Sequence, residues 1–337
     1  MKTALDIIKD IQKKIYFPVY FLAGDEPYYI NKISDYIEDN VLEEDEKEFN
    51  STILYGRDVE MSALISKLKS FPMMSNYQLV ILKNAQDIPE KDYEPLISYF
   101  ENPLNSTILV VSYHKKPGKR IKAKLDKIKT GLEYFESVRL RDDKVAAWIT
   151  QHLQKKGFTC SPKISQILAD YLGNDLEKIE NELLKLTINV EKGSAINMDD
   201  VEANIGISKN FNIFELQSAI ATRNQVKAIQ ISHYFAANTK ENSIFKMIPV
   251  IYSFFSKVMI YHQLKDKKNR GDVARALKIN PYFAGDYETA ALKYNATHVL
   301  NVIKLLREYD MKAKGVNNQF PEGELIKELI YKIVVLS

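Results

Sequence analysis

An apolar strand-like run, residues 19–22, leads through Gly24 into a helix-like segment in the stretch VYFLAGDEPYYIN. A nucleotide-binding protein places its phosphate loop at such a junction, where helix N-terminal amides and a lysine can meet phosphate oxygens. That chemistry needs a second glycine, a lysine and a Ser or Thr at fixed offsets from the first glycine. Counting from Gly24, those positions hold Tyr29, Ile30 and Asn31. Phosphoryl transfer also needs an acidic residue at the end of a buried strand to hold Mg²⁺. The apolar run 79–82 ends in Lys83, Asn84 and Ala85, and 107–112 runs into Tyr113, His114 and Lys115. Two readings remain open from these residues: a nucleotide-binding scaffold without its chemistry, or a fold that never had it.

Two other segments carry residue types that could recognise a partner. Ser70-Phe71-Pro72-Met73-Met74-Ser75 lies between a helix-like and a strand-like segment. Pro72 stops the helix, and Phe71, Met73 and Met74 either pack under a sheet, as most such residues do, or form an exposed apolar plug for a partner's pocket. His114 to Lys129 carries eight basic residues, Lys115, Lys116, Lys119, Arg120, Lys122, Lys124, Lys127 and Lys129, against one acid, Asp126. It could touch DNA phosphates. Ile121, Leu125 and Ile128 at helical spacing favour a surface helix with a solvated basic face, and no aromatic residues interleave for base stacking. The acidic run 43–48 reads as a solvated helix end. Trp148 reads as core packing beside Val145, Ile149 and His152, and Asp175, Glu182 and Lys185 as capping and surface pairs.

The elements that must position these groups fall into two regimes. The first ~140 residues alternate strand-like and helix-like segments, the pattern of an α/β layer fold. Residues 19–22, 79–82 and 107–113 are apolar strands, with 132–138 a further, weaker candidate; 26–42, 61–70 and 92–100 read as helices. Right-handed crossovers would join them into a mostly parallel sheet covered on both sides. Beyond residue 142 the chain reads as helical. The helices are expected at 142–156, 161–172 (capped by Ser161) and 174–186, then at 211–223, 225–237, 243–265, 272–277, 282–294, 296–314 and 323–336. The expected domains are 1–140, 141–207 and 208–337.

Composition narrows the function classes. The 337 residues are 45% hydrophobic, enough for a substantial core, and the net charge is +3 from 47 basic and 44 acidic side chains. A protein whose main task is gripping nucleic acid usually carries a larger positive excess. Five histidines and one cysteine, Cys160, are scattered without metal-ligand spacing, and no G-x-S-x-G or His-Glu-x-x-His motif is present. The N-terminus reads as an amphipathic helix rather than a signal peptide. No apolar run approaches the roughly 20 residues needed to span a bilayer. A cytoplasmic protein with no metal, no cofactor and no catalytic residues is expected.

Four segments together resemble one family. They are VYFLAGDEPYYINK (residues 19–32), NYQLVILKNAQD (76–87), GNDLEKIENELLKL (173–186) and the run 272–315, which ends in Asp310, Lys314 and Gly315. In order and spacing the chain resembles, over essentially its whole length, the delta subunit of the bacterial DNA polymerase III clamp loader. The resemblance implies an AAA+-like N-terminal α/β domain with a parallel sheet, a small helical lid domain and a C-terminal helical collar. It implies a subunit that does not bind ATP, consistent with Tyr29, Ile30 and Asn31. It also implies that a hydrophobic pair in the first domain inserts into a pocket of the sliding clamp (the beta subunit). The matching positions are Met73 and Met74, with Phe71 beside them; Leu or Phe is usual where this chain has methionine. The implied partners are the clamp, the loader ATPase subunits and delta-prime through the collar, and primed DNA within the complex. Two other classes stand beside this one: an AAA+ ATPase with atypical nucleotide binding, and a helical DNA-binding or scaffold protein using 115–129.

Overall fold

The computed structural model describes residues 2–209, 211–267, 269–317 and 319–336. The chain divides into two compact units, residues 1–145 with 172–181, and residues 146–171 with 182–337.

The first unit is built on a parallel sheet in the order β2-β3-β4-β1-β5. Its strands are β1 (Val19–Gly24), β2 (Ser51–Tyr55), β3 (Gln78–Lys83), β4 (Thr107–Tyr113) and β5 (Leu132–Ser137). α1 (Ala4–Gln12) precedes β1, and between the strands run α2 (Pro27–Asn40), α3 (Glu44–Asn50), α4 (Met61–Leu68), α5 (Glu94–Glu101) and α6 (Lys119–Leu125). Alternate residues of each strand point to opposite faces. Tyr20, Leu22, Leu79, Ile81, Ile108 and Val110 pack under α1 and α2, while Phe21, Ala23, Val80, Leu82, Leu109 and Val111 pack under α4, α5 and α6. Both faces are covered, which is why β1, β3 and β4 read as unbroken apolar runs.

The α/β expectation holds, with three differences. Edge strand β2 was not expected, because Ser51-Thr-Ile-Leu-Tyr55 carries its apolar residues on a half-exposed edge and lacks the buried-strand pattern. The acidic run 43–48 starts a helix rather than ending one: Glu43 caps α3 in a reciprocal box with Glu46, where carboxylates favour the dipole. The basic helix is shorter than its apolar spacing suggests, ending at Leu125.

The second unit contains the remainder of α7 (Asp142–Lys155), then α8 (Pro162–Leu172), the end of α9 (Leu176–Ile188), α10 (Met198–Ile205) and a two-residue parallel bridge, β6 (Thr159–Cys160) with β7 (Ala195–Ile196). As expected, Ser161 caps α8, accepting from the Ile164 amide at 3.3 Å. It continues through α11 (Ile213–Ala221), α12 (Gln225–Ala237), α13 (Ile244–Gln263), α14 (Arg270–Leu277), α15 (Ala284–Lys293), α16 (Ala296–Ala313) and α17 (Glu322–Tyr331), which ends in a wider turn over Lys332–Leu336. α12 packs on α17, and α13 on α15 and α16.

Helix α13 corrects the expectation about apolar runs. Its 20 residues are long and apolar enough, by length and composition, to cross a membrane. Lys246, Pro249 and Lys257 interrupt the run in sequence but lie outside its buried stripe. That stripe, Ile244, Met247, Ile251, Phe254, Phe255, Val258 and Tyr261, lies in the core of the unit, as a core helix requires.

Candidate functional site

At the carboxyl ends of β1, β3 and β4, where an open parallel sheet presents its ligand crevice, side chains of this chain fill the space. Gly24 ends β1 with φ +134°, and its amide donates to the Lys115 carbonyl at 3.0 Å. A β-carbon on Gly24 would lie 1.9 Å from the Ser137 carbonyl oxygen of β5. The glycine is therefore required by strand packing, whatever binds nearby.

Glu26 follows and caps α2. It is 3% exposed, and its Oε1 accepts from the Tyr28 amide at 3.2 Å. Burial pushes its carboxyl above the usual range, against the opposing pull of that hydrogen bond. An incoming phosphate would thus meet a carboxyl group already on the helix N-terminus, and Pro27 at the first position removes one amide. Ile30 is buried in the α2 core and Tyr29 packs at its margin, edge-on to Tyr28 at 4.9 Å between centroids.

Asn31 faces inward. Its Oδ1 lies 2.9 Å from His114 Nε2, and His114 Nδ1 lies 3.1 Å from Asn84 Oδ1. The His114 amide donates to Gln86 Oε1 at 3.0 Å. A neutral imidazole offers one donor and one acceptor, so one of the two asparagines must present its amide nitrogen. Burial pushes His114 below its ordinary value, the Glu177 charge opposing. Asn31–His114–Asn84 ties α2 to the ends of β3 and β4 where an ATPase would hold metal and phosphate. Among the described residues no group of three or more His, Cys, Asp or Glu could hold a metal ion.

This bridge has a pH signature. Unfolded, His114 takes up a proton near its ordinary value of 6.5; folded, it does so only at lower pH. Acid therefore favours the unfolded chain, and the bridge's contribution is complete above about pH 6.5 and lost as pH falls below it. Urea unfolding between about pH 7.5 and about pH 5.5 should show a smaller acid loss in His114→Gln than in the parent chain. An equal loss in both would show that His114 does not contribute.

The segment after α4 is a second, different kind of site. Phe71 is 75% exposed, Met73 62% and Met74 103%. They do not pack under the sheet. Beneath them lies a polar frame. Asn50, 2% exposed at the end of α3, donates from Nδ2 to the Met73 carbonyl at 2.9 Å and accepts the Met73 amide on Oδ1 at 2.7 Å. Gln78, buried at the start of β3, donates from Nε2 to the carbonyls of Lys67 and Ser70 and to Thr107 Oγ1 at 2.7 Å. Ser75 Oγ accepts from the Tyr77 amide at 3.3 Å. The Glu46 carboxyl is held below the usual range by the Glu43 backbone first and by Ser75 second.

Met74 adopts φ +52°, the left-handed region. A non-glycine residue there costs roughly 1 kcal/mol or more. A fully exposed side chain recovers none of that cost within the chain.

The basic stretch is partly spent on internal pairs. Lys116 meets Asp25 at 3.4 Å, Arg120 meets Glu94 at 3.6 Å, Lys122 meets Asp126 at 2.6 Å, and Lys124 also pairs with Glu94. Ile121 and Leu125 are buried, as the surface-helix reading requires. Further along, Asp175 caps α9 through the Lys178 amide at 3.0 Å, and Lys185 pairs with Glu182 at 2.6 Å. Trp148 is only half-buried and stacks on His152 at 4.7 Å between ring centroids.

Two family models match. One, described as DNA polymerase III, delta subunit, covers residues 20–138; the other, its C-terminal domain, covers residues 210–330. The DNA polymerase III subunit delta of Bacillus subtilis is 23% identical over 347 residues, spanning 98% of this chain and 96% of the relative. The chain belongs to the DNA polymerase III delta subunit family. Among solved structures, the DNA clamp loader delta protein of Bacillus subtilis matches with a TM-score of 0.52 at 21% identity, covering 98% of this chain and 99% of that one. The delta-family resemblance drawn from four sequence segments is thus borne out, as is its AAA+-like fold class of a parallel α/β sheet joined to a helical region.

In this delta-family chain, the sequence singled out Phe71, Met73 and Met74 but not the polar residues that hydrogen-bond their segment. Asn50 and Gln78 are single polar residues in segments with no local signal, and their partners are 23 and 29 positions away. Glu26 was legible in principle: an acid followed by proline at the head of a helix is a cap signature.

Proposed function

We propose that this chain is the clamp-opening subunit of a DNA polymerase III clamp loader, with Phe71, Met73 and Met74 as the plug that enters a pocket on the ring-shaped sliding clamp. One observation carries the reading: Met74 is wholly exposed in a costly left-handed conformation, beside two other exposed apolar side chains, on a frame of hydrogen bonds from the buried residues Asn50 and Gln78. Strain and exposure of this kind persist where a partner supplies the compensation. Docking opens the ring only by binding the open conformer better than the closed one. Moving a ring from mostly closed to mostly open takes about 5.5 kcal/mol of differential binding, an energy that a few buried apolar anchors can supply.

The chain itself does no catalysis and takes no cofactor in this reading. ATP acts in partner ATPase subunits that control access to the plug. The helical collar, 208–337, holds the subunit beside those ATPases and delta-prime, with primed DNA engaged by the assembled loader in the cytoplasm. The division into 1–140, 141–207 and 208–337 is supported by two family matches that leave residues 139–209 between them.

The deciding experiment is a direct binding assay with the purified sliding clamp of the same organism, comparing the parent chain with Met73→Ala/Met74→Ala. Saturable binding by the parent and its loss in the variant are expected; equal affinities would sink the plug assignment. A fluorescent ATP analogue titrated onto the chain separates this reading from an atypical ATPase. With Glu26 and Pro27 on the helix N-terminus and Asn31–His114–Asn84 across the crevice, no saturable signal is expected. A titratable signal would restore the ATPase reading.

A further inference from the structure

We infer that Asn50 is the positioning residue of the plug: its side-chain amide holds Met73 in the presented geometry before any partner arrives. The inference rests on the plug reading above and adds a residue outside the plug segment, on a different element of the fold.

The geometry is specific. Asn50 Nδ2 donates at 2.9 Å to the Met73 carbonyl while Oδ1 accepts the Met73 amide at 2.7 Å, so one planar group satisfies both backbone polar atoms of a single residue. The arrangement imitates one rung of a strand ladder, with a side chain in place of the neighbouring strand. A third bond, Nδ2 to the Glu46 carbonyl at 3.2 Å, fixes the amide against its own helix. Only a primary amide offers donor and acceptor together at this spacing. Aspartate would set an acceptor oxygen against the Met73 carbonyl, serine would leave one of the two backbone groups unmatched, and alanine would leave both.

The consequence is preorganisation. Gln78 holds the segment at Ser70, Asn50 holds it at Met73, and Ser75 turns it toward β3. The backbone between these points is held by these hydrogen bonds although its side chains touch solvent. Freezing it in the free subunit removes an ordering cost that binding would otherwise bear. Met74 follows the held residue directly, so the Asn50 bonds also anchor the left-handed turn that aims Met74 outward.

The test is Asn50→Asp in the full chain, with clamp affinity and amide hydrogen exchange measured on one preparation. Asn50→Ser serves as a second variant should the aspartate chain fail to fold. Clamp affinity is expected to fall by about tenfold or more, with faster exchange at residues 73–75 and unchanged exchange in β1, β3 and β4. A purely structural role would lower the unfolding midpoint without that localised exchange or affinity loss. Parent-like affinity despite fast exchange at Met73 would overturn the inference while leaving the plug reading intact, provided Met73→Ala/Met74→Ala still abolishes binding. Unchanged exchange at Met73 would overturn it from the structural side. If the double alanine variant binds as the parent does, the plug reading falls and this inference falls with it.

Discussion

Replacing Met73 and Met74 together by alanine is expected to weaken clamp binding by about 100- to 1,000-fold while leaving the fold intact. The estimate follows from burial. Sinking a methionine side chain fully into an apolar pocket is worth about 1.5–3 kcal/mol, and alanine keeps only its methyl group. Two such losses, near 3–4 kcal/mol together, convert at roughly 1.4 kcal/mol per decade of affinity. In the free chain both side chains are exposed, so their removal leaves stability within about 0.5 kcal/mol. A companion variant sharpens the point. Met74→Gly relieves the left-handed backbone, and stability should hold or rise by up to about 1 kcal/mol even as clamp binding falls. Opposite signs in the two measurements would identify Met74 as a residue kept for its contact. Surface plasmon resonance with immobilised clamp, beside urea unfolding, reads both; a parallel loss of affinity and stability would point instead to a damaged fold.

Gly24→Ala should have the largest effect on the fold itself. The added β-carbon would stand 1.9 Å from the Ser137 carbonyl oxygen, 2.7 Å from its carbonyl carbon and 2.8 Å from its nitrogen. All three are backbone atoms of β5, which pairs with β1 through Gly24 itself, so neither strand can yield without breaking the sheet. The φ of +134° adds strain that no L side chain adopts readily. A loss of about 3–5 kcal/mol, or failure to accumulate folded protein, is expected from thermal and urea unfolding. Stability within about 1 kcal/mol of the parent would show that the β1–β5 junction can relax. A glycine that strand packing demands is required whatever binds nearby, so its presence says nothing about ATP.

Much of the fold was legible in the sequence. Strands buried on both faces are mostly apolar, with polar residues such as Gln78 and Thr107 at their ends, so β1, β3 and β4 stood out as apolar runs. The helices showed their caps and stripes, Ser161 before α8 and the Leu176–Ile179–Leu183–Leu186 seam among them, all four of its residues buried. Strand β2 was missed because an edge strand buries only part of one face; Ile53 and Tyr55 are exposed, and its pattern resembles a loop. Helix α13 was expected at 243–265, but its apolar length was not, because two lysines and a proline break the run in sequence while lying off its buried face.

The sequence by itself determined what the junction after β1 lacks. Tyr29, Ile30 and Asn31 exclude the phosphate-loop residues by type alone, since that chemistry needs a lysine and a hydroxyl at those offsets. It also determined that Phe71, Met73 and Met74 form an apolar cluster at a connection, and left open whether that cluster was core or surface. Only the tertiary structure decided that question. Exposure depends on where the chain turns, and here the turn is set by Asn50 and Gln78, which find partners 23 and 29 residues away. Likewise, only the fold showed that the crevice is bridged by Asn31, His114 and Asn84, drawn from three separate segments. Apolar periodicity is a local property and survives in one dimension, whereas a buried amide's choice of partner exists only once distant segments are packed together.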